Sequence, residues 1–345
     1  MFFASDNAGP AHSRILQSVA DANDGYAMPY GNDPIMEDVR QSIRATFEAP
    51  EAEVYLVATG TAANVLGLAC YAHPWQTVFC SPISHIQEDE CNAPEFYSGG
   101  AKLTLVGGDH KMTPDALRAS ITAEETRGVH GAQRGPVSIT QITERGGVYT
   151  VDELRALTAV AREFNLPVHM DGARFANAVA AVGCSPADMT WKAGVDVLSF
   201  GGTKNGCLGV EAVVLFDPDK AWEFELRRKR GAHLFSKHRF LSAQMAGYLD
   251  DGLWLELAEA ANENAARLAA GLRDAGAEFL HEPQANMIFA AFPRATHQRL
   301  HDNGAKYYVW SGELDGTDPS EMLVARLVCD WSIGSERIDA FLSHF

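Results

Sequence analysis

The 345-residue chain predicts an α/β protein, with a large domain built on a mostly parallel central sheet and a smaller α+β domain at the C-terminus. Three observations predict it. From Glu53 to Phe216, apolar runs of strand length alternate with helical patterns. Those runs are apolar throughout rather than alternating, as in strands covered on both faces. Beyond Phe216 the pattern changes to long helices and then to the short runs "NMIFAAF" and "LVARLVCDW". The chain accordingly divides into an arm (1–32), a large domain (33–229), and a helical linker with the small domain (230–345).

Each element has its own signal. After a polar, Gly- and Pro-rich opening, "DPIMEDVRQSIRATFEA" spaces apolar residues as a helix does, with Pro34 near its start. "EVYLVATGTAANVLGLACYA" reads as strand, tight turn and helix, and "QTVFCSP" and "KLTLVGG" as short strands. "TPDALRASI" opens a helix, with Thr113 as N-cap and Pro114 at the first helical position. "GPVSITQIT" is a strand, "TVDELRALTAVAREFN" an amphipathic helix, and "LPVHMDGAR" a strand with a polar end. "DVLSFGG" and "VEAVVLF" follow as strands, and "ELAEAANENAARLAAGLRDAG" as a long helix.

A composition of 46% hydrophobic and 21% charged residues supports a sizeable core. The net charge of −17 argues against nucleic-acid binding, which needs a positive footprint. The one basic cluster, "RRKRGAHLFSKHR", reads as a solvated or interface helix. Six cysteines without CxxC pairing read as free thiols in a reducing compartment. No apolar run is long enough to span a bilayer, and "MFFASDNAGP" is not a signal peptide, so a cytoplasmic protein is expected, with no membrane partner and no metal.

Three motifs carry chemistry. In "ATGTAAN", Gly60 permits close approach, and the amides of Thr61, Ala62 and Ala63 would be free at a helix N-terminus, which makes an anion site. Alone, the motif is equally an ordinary strand–helix turn. In "PVHMDGARFANAV", Asp171 ends an apolar strand, where ligands gather in open α/β sheets. Such a carboxylate suits the protonated nitrogen of a heteroaromatic ring. Arg174 is a planar fork suited to a carboxylate, though an Asp-Gly-x-Arg turn is as often a cap with a surface arginine. In "SFGGTKNG", Lys204 follows Thr203 in a turn between buried strands, and a desolvated lysine is a nucleophile toward carbonyls. Together these are the three anchors of pyridoxal 5'-phosphate: a phosphate cradle, Asp171 for the pyridine nitrogen and Lys204 for the Schiff base.

In this order the motifs resemble the threonine aldolase family of pyridoxal-phosphate enzymes, in the aspartate aminotransferase-like (fold type I) superfamily. The resemblance runs through "SDN", "YGNDP", "ATGTAANVLGL", "SHIQEDE", "HMDGARFANA", "SFGGTKNG", "RRKRGAHLFSKHRF" and "ARLVCDW", nearly the whole chain. It implies cleavage of β-hydroxy-α-amino acids such as L-threonine, L-allo-threonine and phenylserine to glycine and an aldehyde. It also implies a homotetramer with shared active sites. By the same resemblance Gly60, Thr61 and Ala62 bind phosphate, and His85 stacks on the cofactor ring with Asp89 close behind, on one face if the segment is helical. Ser5, Arg174 and Arg326 bind the substrate carboxylate, and Tyr30 reaches a neighbouring subunit's site. Arg326 also interrupts the apolar "MLVARLVCDW", where a charged side chain needs a partner.

The sequence departs from the family in two places. The usual Ser-Asp-Thr opening is Ser5-Asp6-Asn7, and the Glu-Asn-Thr-His of some members is replaced by "TQITERGG", with Glu144 after Thr143. The acceptor of the β-hydroxyl proton is therefore open between His85, His130 of "RGVHGAQRG" and a water held by either. The alternatives are β-elimination or transamination on the same scaffold. A cofactor-free binding protein would have no need of Lys204, Asp171 and Arg174 together.

Overall fold

The computed structural model describes residues 1–345. Seven strands form the large sheet: β1 (Glu53–Val57), β2 (Gln76–Cys80), β3 (Lys102–Leu105), β4 (Gln133–Thr140), β5 (Val168–Gly172), β6 (Val197–Gly201) and β7 (Glu211–Leu215). Their order is β1-β7-β6-β5-β4-β2-β3, and β7 alone runs against the rest. A parallel neighbour needs a long crossover, whereas β6 returns to β7 through a short turn, so that pair is antiparallel. Every residue of β5, β6 and β7 is buried, as expected of strands covered on both faces, the polar His169, Asp171, Ser199 and Glu211 included.

The helix Gly60–Ala69 packs on one face of this sheet, and nearly all of its residues are buried, the polar Asn64 among them. The helix Phe175–Val182 lies against the long helix Leu253–Asp274. A second, antiparallel sheet has the order β10-β11-β9-β8, with β8 at Glu278–Phe279, β9 at Met287–Pro293, β10 at Tyr308–Ser311 and β11 at Met322–Val328. The N-terminal arm is sewn to it. The Phe3 amide donates to the Lys306 carbonyl at 2.7 Å, and the Val328 amide donates to the Phe3 carbonyl at 2.8 Å.

The basic cluster is not one solvated helix. A helix covers Ala221–Arg230, a loop follows, and a second helix covers Arg239–Leu249. Ala232 has φ 64, a left-handed conformation that ends the first helix. Arg228 within the cluster is buried, with its guanidinium 5.0 Å from the centre of the Tyr55 ring and Nη1 donating to the Leu56 carbonyl at 3.4 Å. Burial lowers its pKa to about 10.

Six strands of shared direction put their carboxyl ends on one edge of the sheet, and the reversed β7 brings its amino end there. That edge positions everything described next.

Candidate active site

The connections after β1, β2, β5 and β6 enclose a cavity of ≈ 270 Å³ whose walls include Gly60, Thr61, His85, Asp171, Thr203 and Lys204. A larger groove of ≈ 470 Å³ runs along Ala180, Glu259, Glu263 and Arg273, but it contains neither a buried nucleophile nor an amide cradle, so the chemistry belongs to the smaller cavity.

The cradle is narrower than the motif suggested. Thr59 is the N-cap of the helix Gly60–Ala69, and its Oγ1 accepts from the Ala62 amide at 3.2 Å, while its carbonyl accepts from the Ala63 amide at 3.1 Å. Ala62 and Ala63 are thus spent on capping, and Gly60 and Thr61 supply the cradle's amides. A Cβ added to Gly60 would meet no protein atom within 4 Å, so the space beside its backbone is open to an incoming group.

Asp171 is held from both sides. Its Oδ1 accepts from the Ala173 amide at 3.0 Å, and its Oδ2 accepts from Asn64 Nδ2 at 2.9 Å. The same Asn64 amide donates to Glu90 Oε1 at 2.9 Å, and that oxygen lies 2.8 Å from His85 Nδ1. Asp171, Asn64, Glu90 and His85 therefore form one continuous chain of hydrogen bonds. Its partner for His85 is not Asp89. The helix that begins at His85 ends at Glu88, leaving Asp89 exposed while Glu90 turns inward. The hydrogen bond to Glu90 raises the His85 pKa, and burial raises that of Glu90, so the pair holds a proton more readily than either group alone. Beneath Asp171 on the same face of β5, His169 is locked between Ser138 Oγ (2.9 Å) and Ser199 Oγ (3.2 Å), and burial lowers its pKa to about 4.

Lys204 sits in the turn Thr203–Asn205, which Asn205 anchors by donating to the Tyr248 hydroxyl at 2.8 Å and the Trp254 carbonyl at 2.7 Å. Gly206 leaves the turn with φ 106, which favours glycine, and a Cβ on Gly201 would stand 2.5 Å from the Ala173 carbonyl. The glycines around the lysine thus let two strand ends approach closely.

The two arginines differ. Arg174 is buried, and Asp6 of the arm already fills its fork, with Nε–Oδ2 at 2.7 Å and Nη2–Oδ1 at 2.9 Å. The Arg326 side chain hydrogen-bonds only to the Ala4 carbonyl (3.2 Å) and Met287 Sδ (3.8 Å). Burial first, and then the charge of Arg174, lower its pKa, so an incoming carboxylate would relieve both effects. Ser5 Oγ caps the turn that follows it, accepting from the Asn7 amide, and Asn7 rather than Ser5 lines the cavity. Glu144, on the connection after β4, lies within charge range of His85, Arg174 and Arg326, and its charge acts to raise the pKa of all three, though burial and Arg174 still leave that of Arg326 lowered.

His130 and Tyr30 stand outside this chain's cavity. His130 precedes β4 at the opposite edge of the sheet, and a strand of that length spans roughly 25 Å. Tyr30 is exposed, with the Lys229 ammonium 5.2 Å from its ring centre. Sequence reasoning missed Asn64, Glu90 and Glu211 as site residues. Asn64 and Glu211 are polar residues inside otherwise buried stretches, the same signal that marked Arg326, whereas Glu90 lies among exposed polar residues and carried no such signal.

The residues present fit pyridoxal phosphate: free amides at a helix N-terminus, a hydrogen-bonded carboxylate at a strand end, and a lysine facing both across one cavity. The family model for β-eliminating lyases matches residues 3–294. A low specificity L-threonine aldolase of Pseudomonas aeruginosa is 40% identical over 97% of this chain and 94% of that protein. One from a Pseudomonas sp. is 38% identical over the same shares. Among solved structures, a threonine aldolase of Leishmania major superposes with a TM-score of 0.91 over 99% of this chain and 97% of that one, at 25% identity. A serine palmitoyltransferase of Sphingomonas wittichii superposes at 0.71 over 100% and 86%, at 15% identity, a likeness of fold alone. The fold is thus the aspartate aminotransferase-like one, and the chain belongs to the β-eliminating lyase family, among its low-specificity L-threonine aldolases.

Proposed function

We propose that the protein cleaves L-threonine, L-allo-threonine and related β-hydroxy-α-amino acids to glycine and an aldehyde with the help of pyridoxal phosphate. The observation that carries this reading is the convergence of the Gly60–Thr61 amides, Asp171 and Lys204 on one cavity. Gly60 and Thr61 would hold the phosphate, Asp171 the ring nitrogen, and Lys204 the aldehyde carbon. When bound, the group supplies an electron sink for the bond that breaks at the substrate Cα.

The chain's own residues do the rest. Arg326 receives the substrate carboxylate, while Arg174, already clasped by Asp6, borders that position as a fixed positive wall. Fixing the carboxylate selects which bond at Cα is aligned for cleavage, an effect of positioning. His85 takes the β-hydroxyl proton on Nε2, because its Nδ1 is turned to Glu90, which steadies the imidazolium that forms. Asn64 ties that proton relay to Asp171.

The assembly is read as a homo-oligomer, a tetramer. Tyr30, Trp222 and Leu226 are exposed around one groove of ≈ 320 Å³, and contiguous exposed apolar surface marks contact sites. A role for His130 or Tyr30 rests on that assembly, since each would serve a neighbouring copy's cavity. No helix is long and apolar enough to cross a membrane.

The test is product analysis with L-threonine and L-allo-threonine in the presence of pyridoxal phosphate. Glycine with acetaldehyde is expected. Ammonia with 2-oxobutanoate would replace the reading with β-elimination, the reaction for which the matched family model is named.

A further inference from the structure

β7 begins with a residue that its surroundings do not explain. "EAVVL" is wholly buried, and its first member, Glu211, is 5% exposed. Alternation places Glu211 on the face of Val213 and Leu215, which pack under the helix Gly60–Ala69. A carboxylate costs several kcal/mol to bury unless something answers it. In this chain the answer is the turn that carries Lys204. Glu211 is in register with Gly201, so it closes the hairpin whose turn presents the lysine. Glu211 Oε2 accepts from the Gly202 amide at 2.8 Å, and the Thr203 amide and hydroxyl also point to the carboxylate. Both Glu211 and Lys204 line the cavity.

We propose that Glu211 is the proton partner of Lys204: it takes a proton from the lysine nitrogen to free the lone pair for bonding, and returns it when the lysine must leave or protonate. In this step an Nζ–H bond breaks and an Oε–H bond forms, with a water in the shared cavity carrying the proton, because the two side chains make no direct hydrogen bond or ion pair. The ammonium–carboxylate pair becomes an amine and a carboxylic acid, with no change in electron count. The inference rests on the reading of Lys204 as the nucleophile.

The surroundings suit the task. Burial pushes the Glu211 carboxyl up to about 7, against the pull of the Thr203 and Gly202 hydrogen bonds and the Lys204 charge. It therefore holds or releases a proton near neutral pH. Asp171 and His85 line the cavity that it shares, and two other titratable groups lie within charge range of it, Cys207 on the same hairpin and Tyr248 from the helix Arg239–Leu249. Burial raises both well above their ordinary values, so neither competes for the proton near neutrality. β1 presents Val57 and β6 presents Gly201, neither of which titrates.

Glu211→Gln keeps an acceptor for Gly202 and removes the titration. In the holoenzyme, the pH at which the bound cofactor changes colour reads the proton at the Lys204 nitrogen. The substitution is expected to move that midpoint by about one unit or more. Infrared difference spectra of wild type minus Glu211→Gln should show a carboxylic-acid band that fades through neutral pH. The neutral limb of the kcat profile should disappear, with KM changed less than about twofold. Superimposable colour titrations, or a carboxyl ionised across the whole range, would overturn the proposal. Should the variant not hold the cofactor, wild-type spectra taken before and after borohydride reduction carry the same test. Reduction leaves a cation at the Lys204 nitrogen, so the acid band must diminish, and a band that stays overturns the proposal. Failure of the parent reading would look different, since borohydride would then leave no cofactor attached to Lys204.

Discussion

Replacing Asp6 by asparagine tests how the arm completes the cavity. Asp6 is 4% exposed and meets Arg174 with two bonds of 2.7 and 2.9 Å, while Asn286 Nδ2 donates to it at 3.1 Å. Asparagine keeps the shape, removes the charge and turns an amide NH₂ toward a guanidinium, leaving the Arg174 cation buried and unpaired. Breaking a buried pair from one side costs about 3–5 kcal/mol. At about 1.4 kcal/mol per tenfold, the folding constant should fall by between about two and four powers of ten. Burial alone would raise the Asp6 pKa, but the charges of Arg174 and Lys204 and three hydrogen bonds hold it below 3.8. A depressed carboxylate contributes stability that is whole above its unfolded pKa and is lost as pH falls through the folded value. The gap between wild type and Asp6→Asn should therefore be flat from about pH 5 to 8 and close only below about pH 4. Urea unfolding at one protein concentration measures it, read from the midpoint at unchanged slope. The double variant with Arg174→Met supplies the coupling term. A single-variant loss or a coupling below about 0.5 kcal/mol would refute the reasoning.

Four further outcomes are expected. Asn64→Asp removes the donor shared by Asp171 and Glu90 and adds a third carboxyl. Equilibrium dialysis should show pyridoxal phosphate bound at least about tenfold more weakly, and unchanged affinity would sink the relay. Glu90→Gln removes the group that raises the His85 pKa, so that pKa falls. If neutral His85 takes the proton, the acid limb of kcat/KM moves to lower pH and the plateau drops by about tenfold or more; a stationary limb excludes His85. Mixed oligomers of His130→Ala and Lys204→Ala chains should recover activity that neither parent has, if His130 serves a neighbour's cavity; no recovery confines it to its own chain or to none. His169 binds its proton only near pH 4 in the native state, whereas the unfolded chain does so at 6.5. Stability must therefore fall as pH drops through that window, by about 2 kcal/mol over the first 1.5 units, and His169→Asn should flatten the acid side of the urea-midpoint profile by that much.

Much of the fold was legible because burial on both faces leaves unbroken apolar runs, and "DVLSFGG" and "VEAVVLF" are strands for that reason. Lys204, Asp171 and Gly60 were legible because each ends or follows such a run, where open sheets bind ligands. Contacts between distant segments were not. Nothing local says that Asp6 fills the Arg174 fork or that β7 inserts between β1 and β6, so the hold on Arg174 and the place of Glu211 escaped notice. The error over Asp89 has a local cause. A spacing rule assumed a longer helix, and a helix ending at Glu88 hands the contact to the next residue. The basic cluster misled because charge pattern alone does not reveal a cation, Arg228, tucked under an aromatic ring.

The stitched arm also sets a timetable. Asp6 meets Arg174 across 168 positions, Asn286 across 280, and Ala4 meets Arg326 across 322. On a ribosome residues emerge in order, so Arg174 becomes available to Asp6 well before Asn286 and Arg326 appear. Asp6 can therefore clasp Arg174 early, while the hold of the small sheet on Phe3 and Ala4 comes late, by loop closures spanning more than 300 residues, so the arm side of the Lys204 pocket is completed in two stages. A nascent chain arrested before Arg326 and Val328 should carry a formed large sheet with Asp6 already docked but Phe3 and Ala4 still accessible to protease.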